Sequence, residues 1–475
     1  MANTGKIFRS EEDSLGSIDV PAHALWGAQT QRAVENFAIS GIRIGQFDTL
    51  IVALGMIKKA AACANGKLGA LAPEKVAAIE TACNALIAGG HRRAFPIDAI
   101  QGGAGTSVNM NVNEVIANLA NEKAGQGRGS YGFIHPNDDV NRAQSTNDVY
   151  PSAVKLSLVL ASKRLEVVLE KLAASFEDRA GAFAGVVKLG RTQLQDAVPM
   201  TLGQEFGAFA TTLRKDVAAI RAAVPALCEL NLGGTAVGTG LNAPEGYAAI
   251  VIEELAGISG LPVQLAADML EASWDMGAFV SLSGLLKRIA TKLSKIANDL
   301  RLLSSGPRGG IGEIRLPEVQ PGSSIMPGKV NPVIPEVVNQ VCFQVMGNDV
   351  AITMAAEAGQ LQLNAMEPLI AFNLHVSLQL LERAIITFDE RCVSGIVADG
   401  ARCRAHLDAS VVTATALVPV IGYRRSARLA KDALTKHRTV SELALEENLI
   451  GPNGLALLDP MKLAFPHAGP PAGES

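Results

Sequence analysis

Aromatic side chains are scarce in this chain of 475 residues, at 4% of positions, and a sequence so short of Tyr and Trp is poorly supplied for extended sheets. Cysteine is thin as well. Cys63, Cys83, Cys228, Cys342, Cys392 and Cys403 form no Cys-x-x-Cys pair and no Cys/His cluster with zinc spacing, so they read as buried free thiols in a reducing compartment. Charge of one sign is also missing: 42 Lys and Arg stand against 46 Asp and Glu, for a net charge of −4. No basic patch of the kind that nucleic acid or a membrane surface requires is present, and neither is expected as a partner. No charge-free run reaches membrane-spanning length, no H-E-x-x-H spacing occurs, and no repeat of solenoid period is visible. Met1 to Gly16 is polar and lacks an apolar signal region, so the expected location is cytoplasmic.

What is present is Ala, Leu, Val and Ile: apolar residues make up 48% of the chain and the mean hydropathy is +0.23. This composition suits long, closely packed helices, and the expected class is all-α. The surplus apolar surface is expected to lie between helices or between subunits of an oligomer. Helical periodicity dominates the middle of the sequence. Leu202, Phe206, Phe209, Leu213, Val217, Ile220, Val224 and Leu227 recur at steps of three and four, as do Phe279, Leu282, Leu286, Ile289, Leu293, Ile296, Leu300 and Leu303. An earlier stripe, Leu158, Leu165, Val168, Leu172 and Phe176, follows Pro151, which is placed to begin a helix. Three such stripes predict a bundle of long helices. The division expected is a mostly helical N-terminal domain over 1–142, a central long-helix domain over 143–398, and a small C-terminal helical domain over 399–475. That last domain has a basic, solvated face at Arg424, Arg425, Arg428, Lys431 and Lys436, and a disordered tail over Pro466 to Gly473.

Polar residues gather in four places. Gly322-Ser323-Ser324-Ile325-Met326-Pro327-Gly328-Lys329-Val330-Asn331-Pro332 puts two hydroxyls, a cation and an amide into a segment whose glycines and prolines forbid a long helix. The other three are Gly105-Thr106-Ser107-Val108-Asn109-Met110-Asn111, the run His135 to Asp148 containing Ser145-Thr146-Asn147, and Gly190-Arg191-Thr192-Gln193-Leu194-Gln195-Asp196. Helix capping would account for any one of them. Four together point to loops converging on a small anionic ligand, helped by the free amides of helix N-termini. Two decoys fail on physical grounds. Gly238-Thr239-Gly240-Leu241-Asn242-Ala243 has the dinucleotide G-x-G-x-x-A spacing but follows a helical stripe and precedes Pro244. Gly322 to Lys329 has five residues between its glycines where a phosphate-binding loop has four, and Val330 where that loop has Ser or Thr.

The four clusters, in this order, resemble the fumarase/aspartase superfamily over nearly the whole chain. Its signature, Gly-Ser-Ser-x-Met-Pro-x-Lys-x-Asn-Pro, stands intact at Gly322 to Pro332. The resemblance implies a three-domain, all-α fold whose central long-helix bundles assemble into a tetrameric core, with active sites shared between subunits. It implies a reversible elimination next to a carboxylate. Gln193 after Arg191-Thr192, Glu367-Pro368 and Val333-Ile334-Pro335-Glu336 resemble the aspartase branch, which converts L-aspartate to fumarate and ammonia. Leu25-Trp26-Gly27-Ala28-Gln29-Thr30-Gln31-Arg32 resembles the class II fumarate hydratases, which make L-malate. A catalytically dead structural relative would be free to lose Ser323, Lys329 or Asn331, and all three are present.

By the same resemblance Ser323 is the general base that takes the Cβ proton after its loop closes over substrate. Thr106, Ser145, Thr146 and Ser324 are expected to hold the β-carboxylate that becomes an enediolate-like dianion. Thr192, Lys329 and Asn331 are expected to hold the α-carboxylate, and Asn147 and Gln193 to meet the amino group. The chemistry explains the residue types, because a dianion is stabilised by preorganised hydroxyl and amide donors in a dry pocket. No organic cofactor is implied. An activating divalent cation, as in some aspartases, has no ligand cluster in the sequence.

Overall fold

The apolar stripes fold as helices in the computed structural model, which describes residues 8–466; of the expected tail, residues 467–473 lie outside the described residues. In chain order the α-helices are α1 (Ala28–Asn36), α2 (Asp48–Lys67), α3 (Pro73–Ile87), α4 (Thr106–Lys123), α5 (Thr146–Ala182), α6 (Leu202–Leu227), α7 (Tyr247–Ser259), α8 (Gly277–Leu303), α9 (Val333–Glu357), α10 (Glu367–Arg391), α11 (Gly400–Ala409), α12 (Val418–Ile421), α13 (Tyr423–Lys436), α14 (Val440–Glu446) and α15 (Pro460–Ala464). Among the described residues strands are confined to four two-stranded sheets, so the all-α expectation holds. Two of these are antiparallel hairpins, β1 (Phe8–Asp13) with β2 (Gly16–Pro21), and β3 (Val187–Thr192) with β4 (Gln195–Thr201). The whole stripe of α8 is buried, and so is that of α6 except Val224. Each large apolar side chain so removed from water stabilises the fold by roughly 1.5–3 kcal/mol.

The described residues divide into two compact units, one lying within 1–166, 218–290 and 343–382, and the other within 167–217, 291–342 and 383–475. All five boundaries between these segments fall inside long helices, one each in α5, α6, α8, α9 and α10. In the first unit α2 packs on α3 and α7, and α4 on α1 and α3. In the second, Phe176, Phe183, Phe206, Phe209 and Phe388 form an aromatic cluster with ring centroids 5.1–6.3 Å apart, and residues 414–458 bury a separate small core around Leu417, Leu429 and Leu443. The basic stretch of α13 is amphipathic, with Ser426, Leu429 and Ala433 as its buried side. Helix α10 begins an apolar stretch, Glu367–Gly395, that by length and composition could cross a membrane; more than half of its most apolar part is buried, as in a core helix.

One sequence expectation is corrected. Pro151 does not begin its helix; α5 starts at Thr146 and Pro151 lies inside it. A proline there cannot donate to the carbonyl four residues back, that of Asn147. The side chain of Asn231 fills the gap, its Nδ2 donating to the Asn147 carbonyl at 3.0 Å. A distant residue thus makes a continuous helix tolerable where local sequence signals its beginning.

Candidate active site

The first unit carries Thr106, Ser145, Thr146 and Asn147. Thr106 opens α4 and the other three open α5, so two helix N-termini meet. Gly105 permits this: its φ is +88°, and a Cβ there would run into the ring of Tyr150 on α5. The Ser145 hydroxyl oxygen accepts from the Asn147 N–H at 3.2 Å, and the Thr146 hydroxyl oxygen accepts from Asn109 Nδ2 at 3.2 Å. With their oxygens already receiving a donor, both hydroxyls keep a proton to give, as a carboxylate ligand needs.

Beneath them lies a charged group that sequence reasoning missed. Lys58, on α2, is fully buried, and its Nζ donates to Asn109 Oδ1 at 2.7 Å, Gln144 Oε1 at 2.9 Å and Asn141 Oδ1 at 3.0 Å. Three acceptors call for the three protons of an ammonium. Burial pulls its pKa down to about 7, against an opposing pull from Asp148. Asp148 is buried as well, and its carboxylate accepts from the backbone N–H groups of Ser145, Gly233 and Thr235, each at 3.0 Å. Burial raises its pKa to about 6 although those three donors and Lys58 work the other way. The only local signal for Lys58 was a lysine in register with Leu54 and Ala61 on a buried helix face.

The second unit carries Thr192, Gln193, Ser323, Ser324, Lys329 and Asn331. Thr192 ends β3 and Gln193 is at the hairpin tip, where Gln193 and Leu194 have φ of 54° and 61°. Two consecutive left-handed residues make a type I′ turn, which Asn-Gly would adopt at lower cost. The hairpin's base is pinned by Glu313, fully buried just before Ile314–Arg315, whose carboxylate meets Lys188 at 2.9 Å, Arg191 at 2.8 Å and His406 Nδ1 at 3.0 Å. Burial raises the Glu313 pKa, but these partners outweigh it and hold the carboxyl below its ordinary value.

The signature segment is an irregular loop, as its glycines and prolines dictate. Its neck is closed by Gly322 N–H to the Lys329 carbonyl at 2.8 Å and Asn331 Nδ2 to the Gly322 carbonyl at 2.7 Å. A Cβ on Gly322 would collide with the Lys329 carbonyl oxygen. Inside the loop the Ser323 hydroxyl oxygen accepts the backbone N–H groups of Ile325 at 3.2 Å and Met326 at 3.1 Å. Two fixed amide dipoles on one oxygen favour its anionic form, which a serine base requires. Lys329 and Ser324 are exposed, and among the described residues neither side chain has a partner. The loop lines an open cavity of about 560 Å³ with Glu318, Val319, Gln320 and Pro321.

Comparison with known proteins agrees with this picture. A family model described as Lyase matches residues 16–347, and one described as Fumarase C C-terminus matches residues 414–464. The chain is 56% identical to an aspartate ammonia-lyase of Pseudomonas aeruginosa, covering 97% of this chain and 98% of that one. It is 49% identical to an aspartate ammonia-lyase of Helicobacter pylori, covering 97% and 99%. Among solved structures, a fumarate lyase:delta crystallin of Brucella melitensis bound to cobalt superimposes with a TM-score of 0.95 at 58% identity, over 97% of this chain and 100% of that one. A class II fumarase of Schistosoma mansoni superimposes with a TM-score of 0.92 at 38% identity, over 97% and 100%. With its signature loop, its long-helix scaffold and these near-full-length relatives, the chain belongs to the fumarase/aspartase superfamily of lyases.

Proposed function

We propose that the protein is an aspartate ammonia-lyase, converting L-aspartate reversibly to fumarate and ammonia. The observation that carries the reading is the Ser323 hydroxyl oxygen facing two backbone N–H groups within the intact signature loop, in a chain 56% and 49% identical to two aspartate ammonia-lyases.

In the proposed cycle Ser323, as alkoxide, takes the Cβ proton. The electron pair left on Cβ delocalises into the adjacent carboxylate, whose developing dianion receives hydrogen bonds from Thr106, Ser145, Thr146 and Ser324. A well-placed donor of this kind contributes about 3 kcal/mol to the transition state. Lys329, Thr192 and Asn331 hold the other carboxylate. The Cα–N bond then breaks, its electron pair leaving with nitrogen, while Asn147 and Gln193 orient the amino group. The Ser323 proton is returned to solvent when the loop opens.

The residues that this cycle uses are divided between two units of one chain, and assembly as a homotetramer is proposed to gather them into shared sites. The apolar side of α9 supports a subunit interface: Val337, Phe343, Val350 and Met354 are 40–68% exposed along one helix. The six unbridged cysteines support a cytoplasmic location. No step is routed through a metal. Among the described residues, no three His, Cys, Asp or Glu side chains gather to hold an ion.

Fumarate supplied with ammonium, and separately in water alone, tests the substrate. Aspartate is expected in the first and no malate in the second. Malate as the sole product would make the protein a class II fumarate hydratase, the reading that Leu25 to Arg32 favours.

A further inference from the structure

Asn147 is placed to meet the substrate's amino group, and the orientation of its amide decides what it offers. Its Nδ2 donates to the carbonyl of Ala236 at 2.8 Å. That bond turns Nδ2 toward segment 231–236 and leaves Oδ1 with no donor among the described residues, on the other side of the amide. An ammonium needs such an acceptor, and in the amination direction Oδ1 would hold one N–H of ammonia while its lone pair faces carbon.

The Ala236 carbonyl is not held by regular structure, since residues 232–242 are turns, bends and irregular backbone. Thr235, immediately before it, has a φ of 57°, a left-handed conformation that a β-branched residue adopts only under constraint. Its hydroxyl is buried without a hydrogen-bond partner among the described residues. The constraint is visible: Asp148 Oδ2 accepts the N–H groups of both Gly233 and Thr235, while Oδ1 accepts that of Ser145. Asn231, at the start of the segment, donates to the Asn147 carbonyl left without a helical donor by Pro151. Asp148 and Asn231 are each no more than 1% exposed, so neither bond has water as a ready substitute.

We propose that Asp148 and Asn231 are positioning residues that strap segment 231–236 against the start of α5, so that the Ala236 carbonyl fixes the Asn147 amide with its oxygen toward the amino group of the substrate. The proposal rests on the ammonia-lyase reading. Asp148→Asn keeps the size of the side chain but turns a donor toward one of the three backbone N–H groups, and Asn231→Ala removes the donor to the Asn147 carbonyl.

The test is steady-state kinetics of the intact assembled enzyme, with L-aspartate in one direction and ammonium plus fumarate in the other, alongside inhibition by succinate. Succinate has both carboxylates and no amino group. In both variants the KM for L-aspartate and for ammonium is expected to rise about tenfold or more, the effect of one lost hydrogen bond to a charged group; the succinate inhibition constant is expected to stay within about twofold in Asn231→Ala, which leaves the Asp148 bond to Ser145 intact, and to rise less than the KM values in Asp148→Asn, where that bond is altered. An equal rise for succinate would mean a general loss of structure and would overturn the proposal, as would unchanged KM values in either folded variant. Absence of any aspartate chemistry in the wild-type arm would instead refute the ammonia-lyase reading on which the proposal stands.

Discussion

Glu367 offers the most quantitative perturbation. It opens α10, is 2% exposed, and its Oε1 has no donor among the described residues. Burial raises its pKa from 4.5 to about 8, with Lys155 pulling the other way. Between those values the folded chain keeps a proton that the unfolded chain releases. The unfolded state therefore binds fewer protons, and stability contributed by this group falls as pH rises. From about pH 6 to about pH 8 the loss is about 2 kcal/mol. Glu367→Gln has the same shape and does not titrate, so it escapes that loss. At about 2.1 cal/mol/K of unfolding entropy per residue, 475 residues give about 1 kcal/mol/K, and the Tm gap between variant and wild type should widen by about 2 °C over that range. Differential scanning fluorimetry in matched buffers reads this directly. Tm curves that run parallel from pH 6 to 8 would refute the assignment of Glu367 as a buried neutral acid.

Three further outcomes follow from the site. Lys329→Ala should raise the KM for L-aspartate at least tenfold, because the exposed cation has no partner among the described residues and is expected to meet a carboxylate; an unchanged KM in initial-rate assays would remove it from that role. Lys58→Met should weaken L-aspartate and succinate together, since the three amides that it holds lie beneath hydroxyls for a carboxylate common to both ligands; inhibition and KM measured side by side would show it. Glu313→Gln leaves the buried Lys188 with Glu205 as its remaining carboxylate and the half-buried Arg191 short of a counter-charge, and urea unfolding should show a lower midpoint than wild type.

The scaffold was legible in the sequence because burial on a helix imposes a period: Phe206 through Leu227 and Phe279 through Leu303 spell out one face each, and their burial follows it closely. The hydroxyl clusters were legible because Ser and Thr at helix starts and Gly and Pro in loops have local physical meanings. Lys58 was not, since its neighbours Leu54, Ile57 and Ala61 describe a core, while its partners Asn109 and Gln144 lie 51 and 86 residues away. The start of α5 was misplaced for a related reason. Pro151 signals a helix beginning, and what permits it inside the helix is Asn231, 84 residues from the carbonyl that it serves. Glu313 and the strap at 233–236 likewise act through partners that no local pattern connects.

In the proposed reaction a serine made acidic by its own loop removes the Cβ proton of L-aspartate. The most direct test is turnover of L-aspartate by wild type and Ser323→Ala, followed by the ultraviolet absorbance of fumarate, with assembly checked by gel filtration. The expected result is an assembled variant whose kcat is reduced by about 10²–10⁴ or more, the range for loss of a general base. An assembled variant with near-normal kcat would contradict it.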